Sequence, residues 1–113
     1  MANIYTNAKV DLTTTAETVL YTASNNTRAI VKSILVSNDA GSAATITVTL
    51  TNVAGAVFSL FKVKSIDSNT TVQLLTEPLV LLESEILKVT ASDANELHVV
   101  ASILEINRSD QNG

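Results

Sequence analysis

Histidine is the side chain best suited to moving a proton near neutral pH, and the chain has one, His98. A catalytic imidazole needs an orienting acceptor on one nitrogen and a nucleophile within reach of the other. Neither can be inferred from the sequence around His98, and no second histidine exists to share a metal. The residue reads as a polar, partly exposed strand position. Glu83 and Glu85 flank Ser84 and, two apart on an extended chain, point the same way. Such a pair holds a cation weakly and lacks the dense carboxylate spacing of a calcium loop, so a solvated turn is expected. Asp39 and Asp93 sit among Ala, Gly, Ser and Asn, where turn-closing hydrogen bonds suffice as a role. Asn-x-Ser/Thr triplets begin at Asn25, Asn69 and Asn107, a chance outcome in a chain this rich in these residues. Three glycines form no phosphate-cradling pattern. Tyr5, Tyr21, Phe58 and Phe61 are too few and scattered for a base- or sugar-stacking platform, and the two phenylalanines are expected in the core or a subunit contact. No catalytic, cofactor-binding or metal-ligating residue is therefore assigned, and no enzymatic activity is expected.

Composition narrows the classes further. The 113 residues suit one domain, taken as residues 1–113. Cysteine is absent, which removes disulfide scaffolds, thiolate metal sites and thiol nucleophiles. A net charge of −4 with seven basic residues argues against nucleic acid as a partner. No apolar run approaches the roughly 20 residues needed to cross a bilayer as a helix, and residues 1–7 lack the basic start and apolar stretch of a secretory signal. A membrane partner and the secretory route are not expected, and synthesis in a cytoplasm is.

The elements that hold these residues read as strands. Val, Ile and Thr dominate, and branching at Cβ suits a pleated surface. Thr45 to Thr51 alternates without a fault, with Ile46, Val48 and Leu50 on one face and four threonines on the other. Arg28 to Asn38 (RAIVKSILVSN) precedes it, and Asp39-Ala40-Gly41-Ser42 makes the pair a hairpin. Further strands are expected at Ile4 to Leu12, Thr18 to Ser24, Ala56 to Lys64, Thr70 to Thr76, Leu79 to Leu82 after the break at Pro78, Ile86 to Ser92, and Leu97 to Ile106. Helices over Ser24 to Val36 and Glu77 to Val89 are disfavoured by β-branching in the first and by Pro78 in the second. The fold class is all-β: a single antiparallel β-sandwich, jelly-roll or Ig-like, of about eight or nine short strands. Residues 1–12 read as a short N-terminal arm and residues 107–113 as a frayed polar tail.

Two strands are apolar on both alternation sets. In Ala29 to Val36, Ile30, Ile34 and Val36 oppose Ala29, Val31 and Leu35. In Leu97 to Ile106, Leu97, Val99, Ala101 and Ile103 oppose Val100, Leu104 and Ile106. A strand apolar on both faces is covered on both faces. Either a loop of the same chain or a second subunit supplies the cover. Ile30, Ile34, Val36, Val100 and Leu104 are the candidate oligomer-interface residues.

Three segments taken together carry a family resemblance: VLYTASNNTRAIVKSILVSNDAGSAATITVTLT (Val19 to Thr51), FSLFKVKSIDSNTTVQLLTEPLVLLESEILKVTAS (Phe58 to Ser92) and ELHVVASILEI (Glu96 to Ile106). Their order resembles the small β-sandwich virion structural proteins of tailed bacteriophages, particularly marine and cyanobacterial ones. The resemblance implies a non-enzymatic capsid decoration or cement protein, present in the virion and assembled in the host cytoplasm. Its implied partners are further copies of the chain, as a trimer, and a major capsid protein or other virion protein. The same resemblance extends to neck, tail and head-fibre components. A carbohydrate- or surface-binding module is the alternative from a different class, and the scarcity of aromatics counts against it.

Overall fold

Alternation of apolar and polar residues at a period of two gives a strand one face to bury, and two such sheets bury their faces against each other. The computed structural model describes residues 3–107. Nine strands follow in order: β1 (Asn3–Asp11), β2 (Thr18–Thr22), β3 (Thr27–Asn38), β4 (Ala44–Thr51), β5 (Val57–Ile66), β6 (Thr70–Gln73), β7 (Leu79–Leu81), β8 (Ile86–Ala91) and β9 (Leu97–Asn107). Both segments weighed as helices are strands, because β3 is dense in β-branched residues and Pro78 separates β7 from what precedes it.

One sheet runs β1-β9-β3-β6, with β7 also paired to β3, and the other runs β2-β8-β4-β5. All pairs are antiparallel. Counting β6 and β7 as one interrupted strand, the pairs nest from outside in: β1 with β9, β2 with β8, β3 with β6 and β7, and β4 with β5. This nesting is a long hairpin rolled over itself, the jelly-roll topology, rather than the Ig-like arrangement. One end of the sandwich carries the turns after β1, β3, β5 and β8. The other carries the turns after β2, β4 and β7 together with Asn3 and Asn107.

The core between the sheets is continuous. β3 contributes Ala29, Val31, Ile34 and Val36, β9 contributes Leu97, Val99, Ala101 and Ile103, and the facing sheet contributes Ile46, Val48, Leu87, Val89 and Ala91. The threonines of β4 lie on the opposite face from Ile46, Val48 and Leu50, in agreement with the alternation, and Thr49 is buried there.

Residues 3–11 form strand β1, close to the opening strand expected over Ile4 to Leu12, paired to β9 along its whole length without a register shift. Asn107, expected in the tail, closes β9 against Thr27, and residues 108–113 lie outside the described residues.

The alternation reading of β3 needs one correction. A register shift between Val31 and Ser33 inserts an extra residue opposite β9 and reverses the facing of everything beyond it. Ile30 faces outward, whereas Ile34 and Val36 face inward, each with 0% exposure. They belong to the core, so neither is available to a second chain. The bulge also accounts for the interruption in the neighbouring strand. The Ile34 N–H leaves the ladder and donates to Gln73 Oε1 at 2.9 Å, and the same oxygen accepts from the Leu75 N–H at 3.1 Å. The side chain of Gln73 thus does the work of the missing backbone partner between β6 and β7.

Candidate functional site

The cross-strand register assembles the outer face of the β1-β9-β3 sheet rung by rung. Tyr5 pairs with Leu104, Leu104 with Ile30, and Ile30 with Val80, so four apolar side chains from four strands form one row. Tyr5 is 75% exposed and Val80 53% exposed, with Ile30 and Leu104 half-buried between them. Two rungs along, Lys9, Val100, Leu35 and Gln73 form a second row, with Val100 and Leu35 exposed at its centre. Asn7, Ser102 and Ser33 lie between the two rows. The face therefore carries one apolar row and, beyond a polar row, the pair Val100 and Leu35 flanked by Lys9 and Gln73.

Exposed apolar side chains grouped on one face are candidates for an interaction surface. Only the part of each Val, Leu or Ile of these rows that is still exposed is gained on burial against a partner, at about 25 cal/mol per Å² before the losses of ordering are subtracted. Of the five residues singled out from the sequence, Ile30, Val100 and Leu104 meet on this face, while Ile34 and Val36 lie beneath it. Tyr5, Leu35 and Val80 were missed as members of the patch. The apolar character of β1 and β7 is legible in the sequence, but their register against β9 and β3 is not. Among the phenylalanines, Phe61 packs against the core and Phe58 stands 52% exposed at the start of edge strand β5.

Besides the Lys88 Nζ to Glu17 Oε1 ion pair at 3.8 Å, ionisable side chains come together at both ends of the sandwich. At the loop end, His98 Nε2 lies 3.2 Å from Asp11 Oδ1 and its Nδ1 lies 3.9 Å from Asp39 Oδ2. The fold thus gives the imidazole two carboxylate neighbours that its sequence neighbours do not predict. The carboxylates sit on opposite ring nitrogens, so a single cation cannot be shared among the three, and no metal-holding cluster occurs among the described residues. A shallow hollow of about 240 Å³ adjoins this group, lined by Lys9, Asp11, His98 and Val100 with Val10 and Val99. At the opposite end, Tyr21 Oη on β2 donates to Glu105 Oε2 on β9 at 2.5 Å, a bond that ties one sheet to the other. Burial, then the hydrogen bond and charge of Glu105, push the Tyr21 phenol well above the ordinary tyrosine range. Glu83 and Glu85 occupy the turn after β7, where Glu85 Oε1 accepts from the Leu82 N–H at 2.8 Å and Ser84 adopts φ 68°, so Glu85 closes a turn.

The topology defines a class: a jelly-roll sandwich of two antiparallel sheets. No protein-family model matches the sequence, and no curated protein is detectably similar to it. Solved structures do match its shape. The chain is similar to a protein of the T13 particle of infectious bursal disease virus, with TM-score 0.58, 10% identity, 95% of this chain covered and 31% of that one. It is also similar to a mutant VP2 protein of that virus in T=1 particles, with TM-score 0.51, 9% identity, and 95% and 32% covered. A chain from the Gx strain of the same virus gives TM-score 0.51 at 11% identity, with 91% and 29% covered. The chain spans about a third of the length of these capsid chains, and at such identities the likeness is one of fold.

Proposed function

We propose that the chain is a non-enzymatic virion structural protein, a decoration or cement protein that assembles as a trimer on the outer shell of a tailed-bacteriophage capsid. Its partners in this reading are further copies of itself and a major capsid protein, and it joins the particle in the host cytoplasm. The observation that carries the reading is the outward apolar row Tyr5, Leu104, Ile30 and Val80. A sandwich of this size already closes its core between its two sheets, so a second apolar face is surplus to folding and fits assembly. The fold likeness to chains of virus particles and the resemblance of the three sequence segments to phage virion proteins point the same way. A cement role asks for buried contact area of standard interface size, about 1,200–2,000 Å², rather than for chemistry.

Quantitative mass spectrometry of purified virions, read as copies relative to the major capsid protein, tests this function. A shell protein is present in copies on the order of the shell subunits, as closed symmetry requires. A copy number of about a dozen or fewer moves the chain to the neck, tail or a fibre. Absence from the particle overturns the reading.

A further inference from the structure

Of the sheet edges among the described residues, three are blunted in the ways that keep edges from pairing. β5 carries two register shifts, Lys62 and Lys64, and Val63 in a left-handed backbone at φ 53°. β2 is five residues long with a register shift between Val19 and Tyr21. β6 and β7 are four and three residues long, with Pro78 between them. β1 has none of these devices: nine residues, no proline, no shift against β9, and no charge before Lys9. Its inward-facing Ile4 is still 48% exposed, so no described element covers that side of its first half.

The hydrogen-bonding parity of β1 follows from its far end. The Leu12 N–H donates to the Leu97 carbonyl at 3.0 Å, continuing the register of Asp11 with His98. With a period of two and no shift, the even residues bond to β9, and the N–H and C=O groups of Asn3, Tyr5, Asn7, Lys9 and Asp11 face the open edge. The Asp11 carbonyl agrees, since it accepts from the Thr13 N–H outside the ladder at 3.0 Å.

We propose that the free edge of β1 is a docking site for the β1 strand of a second copy of this chain, paired antiparallel about a two-fold axis at Asn7. The register that engages all nine residues puts Asn7 opposite Asn7, Tyr5 opposite Lys9, and Asn3 opposite Asp11, and every one of these residues offers its backbone to the edge. No like charges meet: the cation of Lys9 falls beside an aromatic ring and the carboxylate of Asp11 beside an amide. On the inward side, Ile4 of one copy meets Val10 of the other, which covers the isoleucine that the chain leaves exposed. Slipping the axis to Lys9 sets two lysines against each other, and slipping it to Tyr5 leaves Lys9 and Asp11 unpaired. A two-fold contact uses the same patch on both copies, so the match of the strand to its own reverse is the required property. The contact deepens the assembly role proposed above by naming one of its seams, but its test reads self-association in solution and stands apart from particle binding.

The chain has no cysteine, so Asn7→Cys introduces its one thiol at the axis. Opposed Cα atoms in an antiparallel pair lie about 4.5–5.5 Å apart, within disulfide reach. Mild oxidation of the full chain is expected to give covalent dimers of Asn7→Cys at a yield at least about ten-fold above Asn3→Cys, whose copies lie at opposite ends of the seam. Comparable yields from both, or none from either, overturn the proposal. A second series covers the case in which the thiol disturbs the edge. Asn3→Lys faces Asp11 of the other copy and tightens the pair about three-fold by sedimentation equilibrium, whereas Asn3→Glu loosens it by a similar factor. Equal affinities for the two variants overturn the register.

Discussion

The Tyr21 to Glu105 hydrogen bond shows how one polar pair can join two sheets at one end of the sandwich. Removing the hydroxyl leaves a carboxylate without its sheet-to-sheet donor, so Tyr21→Phe is expected to lose about 1.5–3 kcal/mol in urea unfolding at neutral pH. The phenol is held protonated in the fold and ionises in the unfolded chain above its ordinary value of 10.0. Its contribution is therefore complete below pH 10 and declines as the pH rises beyond it, so the gap between wild type and Tyr21→Phe should narrow in alkali. A gap that widens above pH 10 would contradict the assignment. Ile34 belongs to the same scale. With its side chain in the core, Ile34→Ala is expected to destabilise by about 2–5 kcal/mol, while Ile30→Ala, one face over, changes unfolding of the isolated chain by less than about 1.5 kcal/mol. The buried Asn38 needs no such penalty. Its Nδ2 donates to the carbonyls of Ser42 and Ile66, and its Oδ1 accepts from the Ala40 N–H, so it pins the turn after β3 to the end of β5.

Among the elements, β3 marks where sequence reading succeeds and where it stops. Its existence and span are legible from β-branching and from the turn residues after Asn38, but the hairpin expected with β4 does not form, because the chain crosses there from one sheet to the other. Its facing is not, because the apolar residues on both sides of Lys32 fit either alternation and only pairing with β9 reveals the extra residue. The regular strand β4 poses no such ambiguity, and its two faces follow directly from the Ile-Thr-Val-Thr-Leu alternation. The outer patch was partly legible for a related reason: Ile30, Val100 and Leu104 lie on strands whose surplus of apolar residues is visible, while Tyr5 and Val80 join them only through register. The His98 cluster was illegible, since Asp11 and Asp39 are far from it in sequence. β5 carries a local strain of its own. Val63 is β-branched yet adopts φ 53°, with its N–H held by Thr47 Oγ1 at 3.0 Å. A left-handed backbone costs a β-branched residue about 1–2 kcal/mol. Val63→Gly should raise the melting temperature by a few degrees in calorimetry, and a lowered one would contradict the strain.

At the scale of the whole molecule, the two outer faces differ in kind. The β2-β8-β4-β5 sheet turns threonines and Lys88 outward at its centre, with Val19, Val57 and Val63 exposed on its edge strands, whereas the β1-β9-β3 sheet turns outward the rows that run from Tyr5 to Val80 and from Lys9 to Gln73. The central claim is that the apolar face is the contact surface, and sedimentation velocity of the paired variant Ile30→Asp with Leu104→Asp measures it most directly. The wild type should sediment as trimers or their multiples, and the variant, still cooperatively folded by far-UV circular dichroism, as two chains or fewer. Identical sedimentation of the two proteins would contradict the account.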